Sequence, residues 1–381
     1  MYLKLLLPLA FGSLSIASPM PGSNESNYNC TIDRAVDGVL VNGSVPIDTS
    51  PMTAWDAPKI GAFNNTVIED WSFDAVSDDA LSGITITFSR GTIIGRPAAQ
   101  RVYLFAAFPN GTTFSDITYF DYSTVKQCRD LTVGTWTNVT TGSTWTFDAS
   151  PDLKNAKITI DSPRIKGVYT IKSKSPPFFP NGKGPGDIEG DVFFSPLLYW
   201  QETATIGDVK TNFTLDGSQL DFSGVGGRER NWMPIGWAQV SDGWHMSRGV
   251  AGPYIYLIWT LDSKIDGKKY DHFVLIENQK IIFQSASSEM SVTGKYGVYN
   301  FPTGGLIKGP FTDNSTGQGA DFINPVSKER WTFVMDNSRI VYSERTGKLT
   351  GYNGFVGRVI GGKVGGKQYE GLGTSQQYQF V

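Results

Sequence analysis

The chain has 381 residues, and its 33 Lys and Arg against 36 Asp and Glu leave a formal charge of −3 without strong blocks. That balance gives no electrostatic reason to expect nucleic acid or an anionic membrane surface as a partner. Forty-three Gly, twenty Pro and 13% aromatic residues suit many short strands and tight turns rather than long amphipathic helices, and the length favours two domains over one.

The first 17 residues read as a secretion signal: Lys4 is the basic start, Leu5 to Ile16 the apolar core, and Ser15 with Ala17 the small-residue cleavage pattern. The apolar run is too short to span a bilayer, and no later run is long enough. The expected location is therefore the secretory lumen or the outside of the cell. Eight N-x-S/T sequons agree, at Asn24, Asn29, Asn42, Asn64, Asn110, Asn138, Asn212 and Asn314, where chance gives about three. Cys30 and Cys128 are the only cysteines, and in an oxidising compartment their pairing as a disulfide is the economical reading.

From Ala62 the pattern turns to period two. In LSGITITF, Ile84, Ile86 and Phe88 share one face with Thr85 and Thr87 opposite, as in a half-buried strand. RVYLFAAF (101–108) is apolar on both faces and reads as central. Trp136 and Trp145 fall in the two arms of a hairpin over 132–147. The prolines and glycines of 173–191 predict a long loop over one end of a sheet, and VFFSPLLYW (192–200) returns to the core.

Three glycines, Gly224, Gly226 and Gly227, then suggest a hinge or cavity entrance, with a tight turn into a buried strand as the alternative. The domain boundary is placed there, giving an N-terminal β domain over 18–223 and a C-terminal one over 224–381. Strands are expected at 236–241, 244–250, 253–261, 271–277, 280–284, 331–335, 339–343 and 355–360. The glycines from Gly347 to Gly373 predict bulges and corners of a tightly curved sheet. The fold class is all-β, a barrel or strongly bent sandwich in each half.

The stretch 224–261 mixes charge and aromatic area: Arg228, Glu229 and Arg230 stand beside Trp232, Trp237, Trp244, Trp259 and His245. No H-E-x-x-H, C-x-x-C, G-x-S-x-G, Walker loop or G-x-G-x-x-G occurs, so no metal or nucleotide cofactor is expected. A carboxylate pair for glycoside hydrolysis stays open among 36 acidic residues. What remains is an aromatic cavity for a hydrophobic small molecule oriented by a few hydrogen bonds. Strand alternation places His245 opposite Met246 and Arg248. His272 reads first as a surface or satisfied histidine, Glu277 as a strand-end charge, and Trp259 as core.

The runs GRERNWMPIGW (227–237), GPYIYLIW (252–259) and IDGKKYDHFVLIENQKIIF (265–283) resemble the C-terminal domain of the fungal Diels-Alderases, which share a two-domain lipocalin-like fold with bacterial hydroxyneurosporene synthase. The secretion signal and the sequons look more like the branch that makes tropolone sesquiterpenoids by a hetero-Diels-Alder reaction. The resemblance implies two lipocalin-like β modules side by side, with a pocket between or beside them that needs no cofactor. It implies hydrogen bonds to a substrate oxygen from Arg228, Arg230, Asn231 or His245, and an acid and base from Glu229, Glu277, His245 or His272. Trp232, Trp237, Tyr254 and Trp259, with Met246 and Trp200, would line the pocket and exclude water. A terpenoid hydratase or dehydratase and a non-catalytic carrier are the rival functions. The expected partners are polyketide or terpenoid small molecules, a homodimer being compatible.

Overall fold

The computed structural model describes residues 30–93, 95–287, 297–303, 316–324, 327–347 and 350–380. The signal segment and the sequons at Asn24, Asn29 and Asn314 lie outside the described residues. The first half of the chain forms β1 (Thr31–Val36), β2 (Ile68–Ser77), β3 (Gly83–Ile93), β4 (Arg96–Ala107), β5 (Thr113–Phe120), β6 (Tyr122–Gln127), β7 (Thr132–Thr137), β8 (Thr144–Ala149), β9 (Asn155–Asp161), β10 (Ile165–Ser173), β11 (Phe193–Ser195), β12 (Leu198–Leu215) and β13 (Ser218–Met233). One helical turn, α1 (Trp237–Val240), follows. The second half forms β14 (Ser241–Ala251), β15 (Tyr254–Ser263), β16 (Lys269–Glu277), β17 (Lys280–Ser287), β18 (Gly297–Thr303), β19 (Gly317–Ile323), β20 (Arg330–Asp336), β21 (Arg339–Arg345), β22 (Gly351–Lys363) and β23 (Tyr369–Gln379).

The strands make two antiparallel sheets, one of 13 strands in the order β1-β6-β7-β8-β9-β10-β12-β13-β2-β3-β4-β5 with β11 pairing β12 off that path, and one of 10 in the order β17-β16-β15-β14-β23-β22-β20-β19-β18 with β21 pairing β22 off that path. Each sheet curls over its own apolar face. In the first, Trp71 on β2 meets Trp136 on β7 and Phe147 on β8 at ring distances of 5.8 and 5.7 Å, although those strands are far apart in the sheet order. In the second, Phe283 on β17 reaches Phe322 on β19 at 5.6 Å, closing the barrel core. The all-β, two-module expectation holds.

The chain leaves the first sheet later than the glycines suggested. β13 runs unbroken through Gly224, Gly226 and Gly227, pairing with β2 as far as Met233, and the second sheet begins at Ser241. The three glycines are not a hinge but sites of close approach. A Cβ at Gly224 or Gly226 would lie 1.9 Å from the carbonyl oxygen of Val76 or Asp74, and one at Gly227 would lie 2.1 Å from the Arg248 guanidinium. The strand expected at 236–241 is also replaced: Pro234 cannot continue a ladder, and the Gln239 side chain accepts the Gly236 N–H at 3.0 Å, closing the turn of α1.

Two apolar clusters join the modules. Ile68, Trp200 and Met233 of the first sheet pack with Trp244, Met246 and Trp259 of the second, and Val76, Phe105 and Ala107 pack with Val341, Tyr342 and Val356. Cys30 and Cys128 form a disulfide that fixes the entry to β1 beside the end of β6. Among the described sequons, Asn42, Asn110 and Asn212 are exposed and Asn64 and Asn138 half-buried. No helix among the described residues is long and apolar enough to cross a membrane.

Candidate functional site

A cavity of about 590 Å³ lies between the two modules, within the range usual for small-molecule sites. The alternation of three first-sheet strands builds one wall. On β2, Trp71, Phe73 and Ala75 point into the module core while Ile68, Asp70 and Ser72 line the cavity. On β3, Ile84, Ile86 and Phe88 go inward and Thr85 and Thr87 face the cavity; on β4, Val102 and Leu104 go inward and Arg101, Tyr103 and Phe105 face it. The polar faces opposite the core thus look into a cleft between the modules. β13 completes this wall with Glu229 and Asn231.

The opposite wall comes from α1 and the second sheet and is aromatic. Trp237, Trp244, Trp259, Tyr352, Tyr378 and Phe380 line it, forming a continuous ladder of rings: Trp244 stacks on Tyr378 at 4.1 Å, Tyr378 on Tyr352 at 5.0 Å, and Trp244 meets Trp237 and Trp259 at 5.7 and 5.8 Å. The cavity is thus bounded by β structure on both sides, which holds its shape.

The charged knot on β13 is divided by the strand itself. Glu229 and Asn231 face the cavity, whereas Arg228 and Arg230 point to the other side, into the first module. Arg228 pairs with Asp56. Arg230 donates to the carbonyls of Trp55 and Ala57 at 2.9 and 2.5 Å, pairs with Glu69 at 3.2 Å and covers the Trp71 ring at 4.5 Å. Burial lowers its pKa to about 10. Trp232 lies on that same face, its indole donating to Asp48 O at 3.0 Å. These three are paired structural groups that do not line the cavity, although Arg228 Nη1 and Arg230 Nε find no hydrogen-bond partner among the described residues.

The remaining candidates divide likewise. His245 lies on the inner face of the second barrel, between Thr260 and Gln377, with burial pushing its pKa down to about 4. His272 is also buried and pushed down to about 4; its Nε2 donates to Phe194 O at 2.8 Å and its ring stacks on Phe194 at 4.0 Å, while Nδ1 has no hydrogen-bond partner among the described residues, so it is a buried histidine satisfied on one side and not a surface one. Tyr254 belongs to the second barrel's core, and Glu277 sits opposite it at a half-buried strand end. Met246 and Trp200 pack in the interdomain cluster beside the cavity. The cavity therefore takes Glu229, Asn231, Trp237 and Trp259 from the sequence candidates and adds Asp70, Arg101, Tyr103, Trp244 and Tyr378.

Electrostatics concentrate on the first wall. Glu229 is held from behind: its Oε2 accepts the Trp200 indole N–H at 2.9 Å and its Oε1 pairs with Arg248 at 3.2 Å. Arg248 enters from β14 and also meets Asp74 at 3.3 Å and Glu202 at 3.0 Å, all four side chains being almost fully buried. Burial raises the pKa of Glu229 and raises that of Glu202 well above the usual carboxylate range, with Arg248 opposing both shifts. Three carboxylates around one guanidinium in a dry site favour a retained proton. The Asp70 pKa is likewise raised by burial, with the nearby Arg101 opposing the shift, and among the described residues neither Asp70 Oδ1 nor Asn231 Oδ1 has a hydrogen-bond partner. Arg101 donates to Tyr103 Oη at 2.5 Å and to Gly91 O at 2.9 Å.

The profile of the Diels-Alderase-like family matches residues 29–381. The chain belongs to the Diels-Alderase-like family. Among curated relatives, the Diels-Alderase cheD of Chaetomium globosum is 31% identical over 360 residues, covering 93% of this chain and 85% of the relative. The hexane cyclase gkaB of Penicillium citrinum is 30% identical over 398 residues, covering 98% and 90%. The crystal structure of CghA with Sch210972 matches the fold with a TM-score of 0.73 at 22% identity, covering 92% of this chain and 99% of CghA. As a Diels-Alderase-like protein the chain is a cyclising enzyme of secondary metabolism.

Proposed function

We propose that the interdomain cavity holds a conjugated diene and an alkene in one relative pose and catalyses a stereoselective Diels-Alder or hetero-Diels-Alder cycloaddition between them. The observation that carries this is an aromatic cleft of about 590 Å³ between the two modules, bordered by a few ionisable groups. Confining both reactants removes much of the entropy cost of their encounter, worth up to ~7–11 kcal/mol in well-oriented systems. A donor such as Arg101, Tyr103 or the Trp237 indole placed at a carbonyl oxygen stabilises charge that grows in the transition state. The tryptophans keep water from a reactive diene.

The substrate pair in this reading is a tropolone o-quinone methide and a humulene-type sesquiterpene. The diene then arises by loss of water, and protonated Asp70 or Glu229 supplies the acid for that step, its conjugate base taking up the second proton. The setting is the secretory lumen or the cell exterior, which the disulfide and the exposed sequons support. The candidate site residues are Glu229, Asn231, Trp237 and Trp259 from the sequence, joined by Asp70, Arg101, Tyr103 and Trp244.

Incubating the full chain with a hydroxymethyl tropolone precursor and α-humulene, with products resolved by chiral chromatography, tests the reading. A single enantiomer formed faster than in buffer supports it, and the racemic mixture at the buffer rate ends it. Glu229→Gln separates a hydratase or dehydratase from a cycloaddition catalyst. Turnover is lost altogether if proton transfer is the whole reaction; if cycloaddition of a preformed diene is catalysed, rate largely survives and selectivity erodes. Recovery of both compounds unchanged, but bound, would indicate a carrier.

A further inference from the structure

The two walls of the cavity differ in charge as well as in shape. Among the described residues, the charged side chains that line it, Asp70, Arg101 and Glu229, all come from the first sheet. The first wall also carries two buried acceptors that have no partner among the described residues, Asp70 Oδ1 and Asn231 Oδ1, with the Arg101 guanidinium near Asp70. A buried acceptor left alone costs about 1–3 kcal/mol, so this wall suits a ligand that brings both a donor and an acceptor. The second wall brings stacked rings; its buried Trp244 and Trp259 indole N–H groups add donors but no charge.

We propose that the cavity is divided into two subsites: an oxygen-binding half on β2, β4 and β13, which takes a conjugated hydroxyketone ring, and a hydrocarbon half on α1, β14, β22 and β23, which takes an unfunctionalised polyene. Arg101 is the specificity-determining residue of the first half. The hydroxyketone's carbonyl accepts from Arg101 and its hydroxyl donates to Asn231 Oδ1 or Asp70 Oδ1, the acceptors left without a partner among the described residues. The hydrocarbon lies on the Trp244–Tyr378–Tyr352 ladder, where burial of apolar area is its only source of affinity. This arrangement rests on the cycloaddition reading for the purpose of holding two molecules, but it assigns which molecule meets which wall.

The experiment is a binding one and needs no turnover. Full-length protein is titrated with tropolone alone and with α-humulene alone, following the fluorescence of the cavity tryptophans. Arg101→Met is expected to weaken tropolone by about tenfold or more, the loss of one charge-assisted hydrogen bond, and to leave humulene within about twofold. Tyr378→Ala is expected to do the reverse. Because Arg101 also holds the Gly91 carbonyl, Tyr103→Phe, which removes a single hydroxyl from the same pair, repeats the test in a fold-neutral background checked by circular dichroism. It should weaken tropolone by a smaller factor and again spare humulene. Equal losses for both ligands in these variants, or no tropolone binding by the wild-type protein, would overturn the division. If the division holds but no cycloaddition is ever seen, the subsites stand and the catalytic reading fails.

Discussion

Arg248→Met is the most informative perturbation of the scaffold, because it removes one side chain from the second sheet and strands three carboxylates in the first. The Arg248 guanidinium lies 3.0–3.3 Å from Glu202, Glu229 and Asp74, with only 2% of its side chain exposed. Burial opposes its charge, but those carboxylates outweigh burial and hold it protonated. Methionine keeps much of the volume and fits the neighbouring Met246, so the cost is mainly electrostatic. Removing one partner from a buried ion pair costs about 3–5 kcal/mol. At about 2–4 °C per kcal/mol for a domain of this size, the midpoint should fall by roughly 10 °C.

The pH dependence fixes the cause. Glu202 and Glu229 already have raised pKa values, so their protonated forms suit the fold; the associated stability is present below the unfolded value and is lost as pH rises through the folded one. Deleting Arg248 removes the group that lowers both, shifting them further upward. The gap between wild type and variant should therefore be small in acid and widen toward neutral pH. Calorimetry of both proteins from pH 4.5 to 7.5 measures it. A gap that stays constant with pH, or a loss below about 1 kcal/mol, would refute the assignment of this cluster as a buried electrostatic joint.

Gly227→Ala should act through the same guanidinium, since its Cβ would fall 2.1 Å from Arg248 Nη1. Urea melts should show a loss of about 1–3 kcal/mol that shrinks in the Arg248→Met background. Reducing the Cys30–Cys128 disulfide, which closes a separation of 98 residues, should cost about 2–5 kcal/mol, read as a lower midpoint with reductant and none in a Cys30→Ser, Cys128→Ser variant. His245 and His272, both pushed down to about 4 by burial, contribute stability that is complete above the unfolded value near 6.5 and lost as pH falls toward 4. The urea midpoint should fall over that window, and His272→Phe should flatten the slope.

Much of the architecture was legible because period-two patterns report which side of a strand is buried. Ile84, Ile86 and Phe88 fall on one face as read, and Trp136 does face Trp145 across its hairpin. What the pattern does not say is what the other face meets. Thr85, Thr87 and Asp70 look like a solvent face because polar residues are used in both settings, and only the docking of a second sheet turns that face into a cavity wall. RVYLFAAF read as central because Tyr103 and Phe105 are apolar by type, while Arg101 at its edge was the signal that one side is not core. Alternation on one strand separates Glu229 and Asn231 from Arg228 and Arg230, so the same period-two rule divides a run that composition alone presents as one charged group. Tyr352 stands among glycines that signal curvature, and Tyr378 in a run of polar residues after Gly373, so neither carries a local signal of a cavity wall. Arg248 could not have been assigned, since its partners are 46 and 174 residues away at Glu202 and Asp74, and one more at Glu229.

That long-range joint has a consequence for protein engineering. The two halves are not interchangeable cassettes: a chimera that takes its second barrel from a relative must either inherit an arginine at the Arg248 position or have Asp74, Glu202 and Glu229 neutralised together. Because Glu229 is at once a tenant of the chamber and an anchor of that joint, swapping barrels to alter product profile would also retune how firmly the reaction vessel is sealed.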